Sequence, residues 1–261
     1  MAKVLKRSRL KIWGDVIFAL FIREIRSSFN DKLGLSWAVV NPVAFIFILS
    51  FIRGRMDGGE THSMPTFVFM AYGMIVIQMF LSMWSSTSSS IKKSKSLFAF
   101  RQVQPISAFL AVALFEVLLK IAVILTIWLI MYFLKMDVVI DDPLELIFCF
   151  TQVSLVALSL GILFGLAEQY VQEIAKVKGL IQRPLFFISG VFFSLQDVPR
   201  EYWAYLNWNP VLHGIELSRQ AAYSSYGAVG VSNIYLGAST LVLFSLALFC
   251  YQACWKQAIS R

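Results

Sequence analysis

Six apolar stretches, at residues 36–52, 65–84, 106–134, 144–167, 179–195 and 234–255, constrain this chain more than any other feature. A helix rises about 1.5 Å per residue, so about 20 apolar residues cross the roughly 30 Å of hydrocarbon in a bilayer. The 261 residues therefore accommodate six spans and their connectors in one membrane domain. With 58% hydrophobic and 15% charged residues, the chain is far too apolar for an ordinary water-soluble domain. The third stretch exceeds the bilayer by roughly 10 Å and must tilt or project beyond it. The fifth is interrupted by Arg183 and Pro184.

Residues 13–29 differ in kind. At 100° per residue, Trp13, Val16, Ile17, Leu20, Phe21 and Ile25 share one arc, while Asp15, Arg23, Arg26, Ser27 and Asn30 lie opposite. The apolar run is too short and too interrupted to span. It reads as an amphipathic helix lying in the interfacial plane. Asp15 and the run Arg23-Glu24-Ile25-Arg26 also depart from a cleavable signal peptide, so the N-terminus is expected to be retained. The expected division is residues 1–35 as cytoplasmic N-terminus and interfacial helix, and 36–261 as the transmembrane domain.

The net charge of +8 argues less from its size than from its placement. Lys3, Lys6, Arg7, Arg9 and Lys11 precede the first helix, and Lys92, Lys93, Lys95, Arg101, Lys176, Lys178, Lys256 and Arg261 fall in alternate connectors or at the C-terminus. The opposite connectors hold Arg53, Arg55, Lys135, Arg200 and Arg219. By the positive-inside rule both termini are cytoplasmic. This pattern anchors a membrane protein, and nucleic acid is not an expected partner.

Residues 196–233 are polar enough to leave the bilayer yet carry Tyr202, Trp203, Tyr205, Trp208, Asn209, Pro210 and Leu212. Amphipathic pieces broken by proline predict short half-helices at the outer boundary.

Chemistry is thinly represented. The sequence has neither G-x-x-x-x-G-K-S/T nor G-x-G-x-x-G, so any ATPase belongs to a partner, along with its ATP and Mg. His62 and His213 are the only histidines and have no metal-ligand group at ligand spacing. Cys149, Cys250 and Cys254 lack CxxC spacing and read as small core residues. No catalytic, cofactor or metal residue is expected here.

Some polar residues sit inside apolar stretches. Glu116 and Lys120 are one turn apart in the third, in the favourable order for an ion pair, and read either as a polar spot on a substrate path or seam or as a pair snorkelling to the interface. Arg183 either lines a cavity for anionic groups or reaches the headgroups. Gly161 and Gly165 form a small-xxx-small face for helix packing. Trp37, Phe45, Phe51 and Tyr72 offer aromatic faces on which sugar rings stack, beside the ordinary reading of lipid contact. The L-F-A-F run after the lysine cluster is an apolar knob in a cytoplasmic loop, which suggests insertion into a partner's groove.

Three strings then carry a family resemblance: I-R-E-I-R (22–26) with L-G-L-S-W-A-V-V-N-P (33–42); L-F-A-F-R-Q-V-Q-P-I (97–106) leading to A-L-F-E (113–116); and R-P-L-F-F-I-S-G-V-F-F (183–193) followed by V-P-R-E-Y-W-A-Y-L-N-W-N-P-V-L-H-G-I-E-L-S-R (198–219). Their order and spacing over nearly the whole chain resemble the permeases of type-2 ABC exporters, specifically the capsular polysaccharide export permeases of Gram-negative bacteria.

The resemblance implies an all-α inner-membrane protein with an interfacial helix, six spans, and outer half-helices between spans five and six. It implies a homodimer bound by two ABC ATPase subunits, periplasmic and outer-membrane capsule export partners, and a lipid-linked acidic polysaccharide as cargo. It assigns ATPase coupling to Arg23, Glu24, Arg26, Lys95, Leu97, Phe98, Phe100 and Arg101. The canal or dimer seam takes Trp37, Phe45, Phe51, Tyr72, Glu116, Lys120 and Arg183, and the outer gate takes Tyr202, Trp203, Trp208, Asn209, Pro210 and His213. Permeases for O-antigen, teichoic acid or another lipid-linked glycan share this plan. A simple channel is a further alternative. A membrane glycosyltransferase would need clustered acidic ligands, for which Asp141-Asp142 is the nearest candidate.

Overall fold

The computed structural model describes residues 8–29, 34–56, 58–100, 102–136 and 139–260. Of the positions named above, Lys3, Lys6, Arg7, Asn30, Arg101 and Arg261 lie outside the described residues. The described chain forms α1 (Arg9–Phe29), α2 (Gly34–Met56), α3 (Thr66–Lys93), α4 (Pro105–Phe133), α5 (Pro143–Tyr170), α6 (Ile174–Ile188), α7 (Pro210–Ala222) and α8 (Asn233–Ser260). One small antiparallel hairpin, β1 (Glu60–Thr61) with β2 (Met64–Pro65), is the sole departure from helix-and-turn architecture among these residues. His62 and Ser63 at its tip adopt positive φ, as a two-residue hairpin turn requires.

Helix starts follow local chemistry. Pro105, Pro143 and Pro210 each occupy a first turn, where proline's missing N–H is no loss. Asp142 caps α5 by accepting from the amides of Leu144 and Glu145 at 3.1 and 3.0 Å. Asp141 accepts from the Ser224 amide at 2.7 Å, and hydrogen bonds from the side chain and backbone of Ser224 hold its carboxyl below the usual range. The acidic pair is thus engaged in holding backbone.

At the centre stands α3, buried nearly all round from Thr66 to Ile77 and packed by α2, α4, α5 and α7. The two glycines of α5 set how closely it approaches. A Cβ at Gly161 would lie 2.5 Å from Thr87 Cβ, and one at Gly165 would lie 2.9 Å from the Ser88 carbonyl oxygen. The small-xxx-small face therefore receives the serine-rich end of α3. Nearby, Lys178 of α6 donates to Ser88 and pairs with Glu168 at 2.9 Å, both largely buried. A basic residue counted above as a loop anchor is instead an internal tie.

The amphipathic reading of residues 13–29 corresponds to α1, whose Val16, Ile17, Leu20 and Phe21 pack with Ala108 and Ala111 of α4. Among the described residues five helices, α2, α3, α4, α5 and α8, are long and apolar enough to cross a membrane. The expected fifth stretch, 179–195, takes a different form. Its helix, α6, begins at Ile174 and ends at Ile188, and 15 residues reach only about 22 Å. Gly190 turns the chain with φ +75°, which is where glycine is favoured at a helix C-terminus.

Candidate functional site

Three places hold the residues that the sequence singled out. The first is where α1 meets the end of α3. Arg23 donates through Nη2 to Glu24 at 2.6 Å and to the Ser94 hydroxyl at 2.8 Å, tying α1 to the residue that ends α3. A 3-10 turn follows over Lys95–Ala99, and its Leu97 and Phe98 join the cluster of Leu20, Ala108 and Ala111. The apolar knob is therefore half folded onto its own chain, because the greasy face of α1 lies within its reach. Arg26, Lys92, Lys93, Lys95 and Phe100 remain exposed, Phe100 to 65%.

The second place is the outward face of α2. Among the described residues of this helix only Val43, Ile46 and Ser50 are buried, a stripe at helical spacing that leaves Trp37, Phe45, Ile48 and Phe51 exposed. Phe45 meets Phe186 of α6 with ring centroids 6.5 Å apart, and Phe186 packs edge-on against Phe187 and Phe192. Arg183 and Pro184 are exposed on the same α6. An aromatic surface thus runs from α2 to the end of α6.

Tyr72, Glu116 and Lys120 do not join that surface. Tyr72 and Lys120 line a separate cleft among α3, α4 and α5, since α3 is enclosed and Tyr72 faces inward. The expected Glu116–Lys120 ion pair is not formed either. Glu116 accepts from the Ser86 hydroxyl at 2.6 Å, a partner one helix away that competes successfully with the lysine.

The third place follows α6. Asn209 caps α7 by accepting from the Val211 amide at 3.0 Å and donates through Nδ2 to Ser189 at 2.9 Å, so it is buried, while half-buried Pro210 occupies the first turn. His213 is buried too. The Ser232 amide donates to its Nδ1 at 3.0 Å, which leaves Nε2 to carry the proton and donate to the Asn207 carbonyl at 2.9 Å. Burial pushes the His213 pKa down and favours this neutral tautomer. Tyr202 and Trp208 are exposed, and Trp203 is half-buried with its indole N–H on the Val198 carbonyl. The outer-gate set therefore divides into exposed aromatics and an internal latch of Asn209 and His213.

Sequence reasoning missed the group that organises this end. Glu216 and Arg219, in the 13-residue α7, form a fully buried ion pair at 3.0 Å. Arg219 also donates to the carbonyls of Phe69, Gly190 and Val191 at 3.1, 2.8 and 2.9 Å. Glu216 accepts from the hydroxyls of Ser194 and Tyr226 at 3.1 and 2.8 Å. The guanidinium thus satisfies carbonyls freed where α6 ends and binds them to α3 and α7. Arg219, counted above with outer loop charges, is an interior residue. The available signal was a Glu and an Arg three positions apart among apolar neighbours in H-G-I-E-L-S-R.

Comparison with known proteins converges on one class. Residues 15–223 match the family model described as ABC-2 type transporter. The chain is 33% identical over 247 residues to the polysialic acid transport protein KpsM of Escherichia coli, covering 94% of this chain and 96% of that protein. It is 28% identical over 258 residues to the capsule polysaccharide export inner-membrane protein BexB of Haemophilus influenzae, covering 93% and 92%. With the capsule polysaccharide export inner-membrane protein CtrC of Neisseria meningitidis it shares 25% identity over 252 residues, covering 92% and 91%.

Proposed function

Because the chain belongs to the ABC-2 type transporter family, we propose that it is the inner-membrane permease of an ATP-driven exporter that carries a lipid-linked capsular polysaccharide outward. The observation that carries this reading is the correspondence, over more than nine-tenths of each chain, with inner-membrane proteins named for capsule export. The five long apolar helices agree with a membrane setting.

In this reading two copies form the canal and two ABC ATPase subunits, which hold the ATP and Mg, drive it. The aromatic surface of Trp37, Phe45, Phe51 and the neighbouring Arg183 lines the seam, offering stacking faces to sugar rings and a cation to acidic residues of the glycan. Arg26, Lys95 and exposed Phe100 meet the ATPase, while Arg23, Glu24, Leu97 and Phe98 hold that surface in place; Arg101 follows it in sequence. Tyr202, Trp203 and Trp208 form the outer gate, seated by Asn209, Pro210 and His213. The short α6 and the turn after it complete a sixth crossing, with the 3-10 turn of Arg200–Tyr205 and α7 as outer half-helices. The basic residues then put both termini in the cytoplasm, with residues 1–35 as the interfacial unit. Periplasmic and outer-membrane partners carry the glycan onward.

Deleting the gene from its capsulated host tests the reading. Surface glycan should vanish, lipid-linked glycan should accumulate inside, and the intact chain should restore export and co-purify with an ABC ATPase. Normal surface glycan in the deletion strain would refute it.

A further inference from the structure

The cleft among α3, α4 and α5 contains two polar groups that the fold leaves unmatched. It encloses about 550 Å³, within the range of ligand pockets. Its walls are otherwise almost wholly apolar, including Ile75 and Met79 of α3, Ile124 and Ile127 of α4, and Phe150 and Leu158 of α5. Lys120 lines it and is only 9% exposed, and among the described residues its ammonium has no hydrogen-bond or ion-pair partner. Glu116, the nearest carboxylate along its helix, is turned to Ser86. The Tyr72 hydroxyl, in the same cleft, is buried without a hydrogen bond.

An ammonium in hydrocarbon is costly when its nearest carboxylate, Glu116, is engaged by Ser86 and makes no direct contact with it, so its presence asks for a closer anion. The Ser86–Glu116 bond sets the antiparallel register of α3 and α4 and puts Lys120 beside Met83. From that level to Tyr72 is about ten residues, or roughly 15 Å of apolar wall. The cleft opens sideways through Leu114, Ile121 and Ile147, exposed side chains on helices that read as membrane-crossing. A matching occupant is anionic at one end, apolar along its length, and able to arrive laterally through the bilayer.

We propose that this cleft holds an acyl chain of an anionic membrane phospholipid, with its phosphate against Lys120. The lipid neutralises the lysine and fills the space between α4 and α5, which both pack on α3. The site is distinct from the aromatic α2–α6 surface and does not depend on the export reading.

Native mass spectrometry of the full-length permease, titrated with phosphatidylglycerol or phosphatidylethanolamine, tests this directly. One phosphatidylglycerol per chain should be retained, with about tenfold preference over phosphatidylethanolamine. Lys120→Gln should erase the preference, Lys120→Arg should keep it, and Val117→Trp, which fills the mouth of the cleft, should weaken retention of both lipids. Glu116→Gln should leave the preference intact or raise it. Equal retention of the two lipids by the unmodified chain, or an unchanged preference in Lys120→Gln, would overturn the proposal. So would efficient disulfide crosslinking of Ile147→Cys between two copies in the membrane, which would mean that a second chain covers the cleft.

Discussion

The guanidinium of Arg219 lies 3.5 Å from the centroid of the Phe69 ring, and its Nε donates to the Phe69 carbonyl oxygen at 3.1 Å. One side chain of α7 thus grips both ring and backbone at the start of α3. Its remaining donors reach Glu216 and the turn after α6, so Gly73 must lack a side chain: a Cβ there would fall 2.6 Å from Arg219 Nη2.

Breaking this group by removing one charge should be expensive. Arg219→Met leaves the Glu216 carboxylate buried without its cation, a change that costs about 3–5 kcal/mol in comparable sites. Membrane abundance should fall sharply. Arg219→Lys should rescue little, because an ammonium cannot serve carbonyls on several segments as a planar fork does. Immunoblotting and thermal melts of the purified chain check both, and a normally abundant Arg219→Met protein would contradict the assignment.

Phe98 and Phe100 separate folding from coupling. Phe98 packs in the cluster between α1 and α4, so Phe98→Ala should lower stability and loosen α1. Phe100 is exposed, so Phe100→Ala should leave the melting temperature unchanged while weakening ATPase capture by about 2 kcal/mol, roughly thirtyfold, if it is a central contact. Quantitative pull-down and melts on the same preparations distinguish them. Equal capture by Phe100→Ala would remove Phe100 from the coupling surface.

The long helices were legible because bilayer thickness imposes a coarse rule that apolar runs obey independently of detail. The stretches read from residues 106 and 144 begin one residue inside α4 and α5, which start at Pro105 and Pro143. The end of α6 was not legible, since its position depends on Arg219, a residue 31 positions after Ile188 whose pairing only the tertiary fold reveals. Leu97 and Phe98 were recognised as apolar in a polar loop, but whether such residues serve a partner or their own chain turns on the proximity of α1. Glu116 and Lys120 had ideal spacing for an ion pair. Ser86, on another helix, decided otherwise.

Glycine packing offers a graded test. Gly165→Ala would force a Cβ to 2.9 Å from a Ser88 backbone oxygen, which cannot rotate away, so destabilisation of about 1–3 kcal/mol is expected. Gly237 in α8 has nothing within 4 Å of where a methyl group would lie, and Gly237→Ala should be neutral or stabilising by up to about 1 kcal/mol through helix propensity. Comparing the two melts checks the α3–α5 contact; equal effects would mean that the contact does not limit stability.

Orientation can be read at exposed sites. Ser94 is buried and bonded to Arg23, so Lys95 is the better reporter for the connector between α3 and α4. In a cysteine-free background, Lys95→Cys should react with an impermeant thiol reagent only after lysis. Glu60→Cys in the hairpin should react in cells with a permeable outer membrane. The reverse pattern would invert the proposed topology.

The His213 latch predicts a pH response whose sign follows from its two hydrogen bonds. Nδ1 must stay unprotonated to accept from Ser232, and burial depresses the folded pKa below the unfolded value near 6.5. As pH falls through that value, the unfolded chain takes up a proton that the folded chain resists, so stability is lost on acidification and fully present above it. Protonation of the folded chain would pit an imidazolium N–H against the Ser232 amide and disturb the contact with the Tyr235 ring, 4.6 Å away. His213→Gln can accept from Ser232 and donate to Asn207 without titrating. Melting temperatures measured from about pH 7.5 to about pH 5.5 should therefore fall more steeply for the unmodified chain than for His213→Gln. Parallel slopes would show that another group sets the acid response.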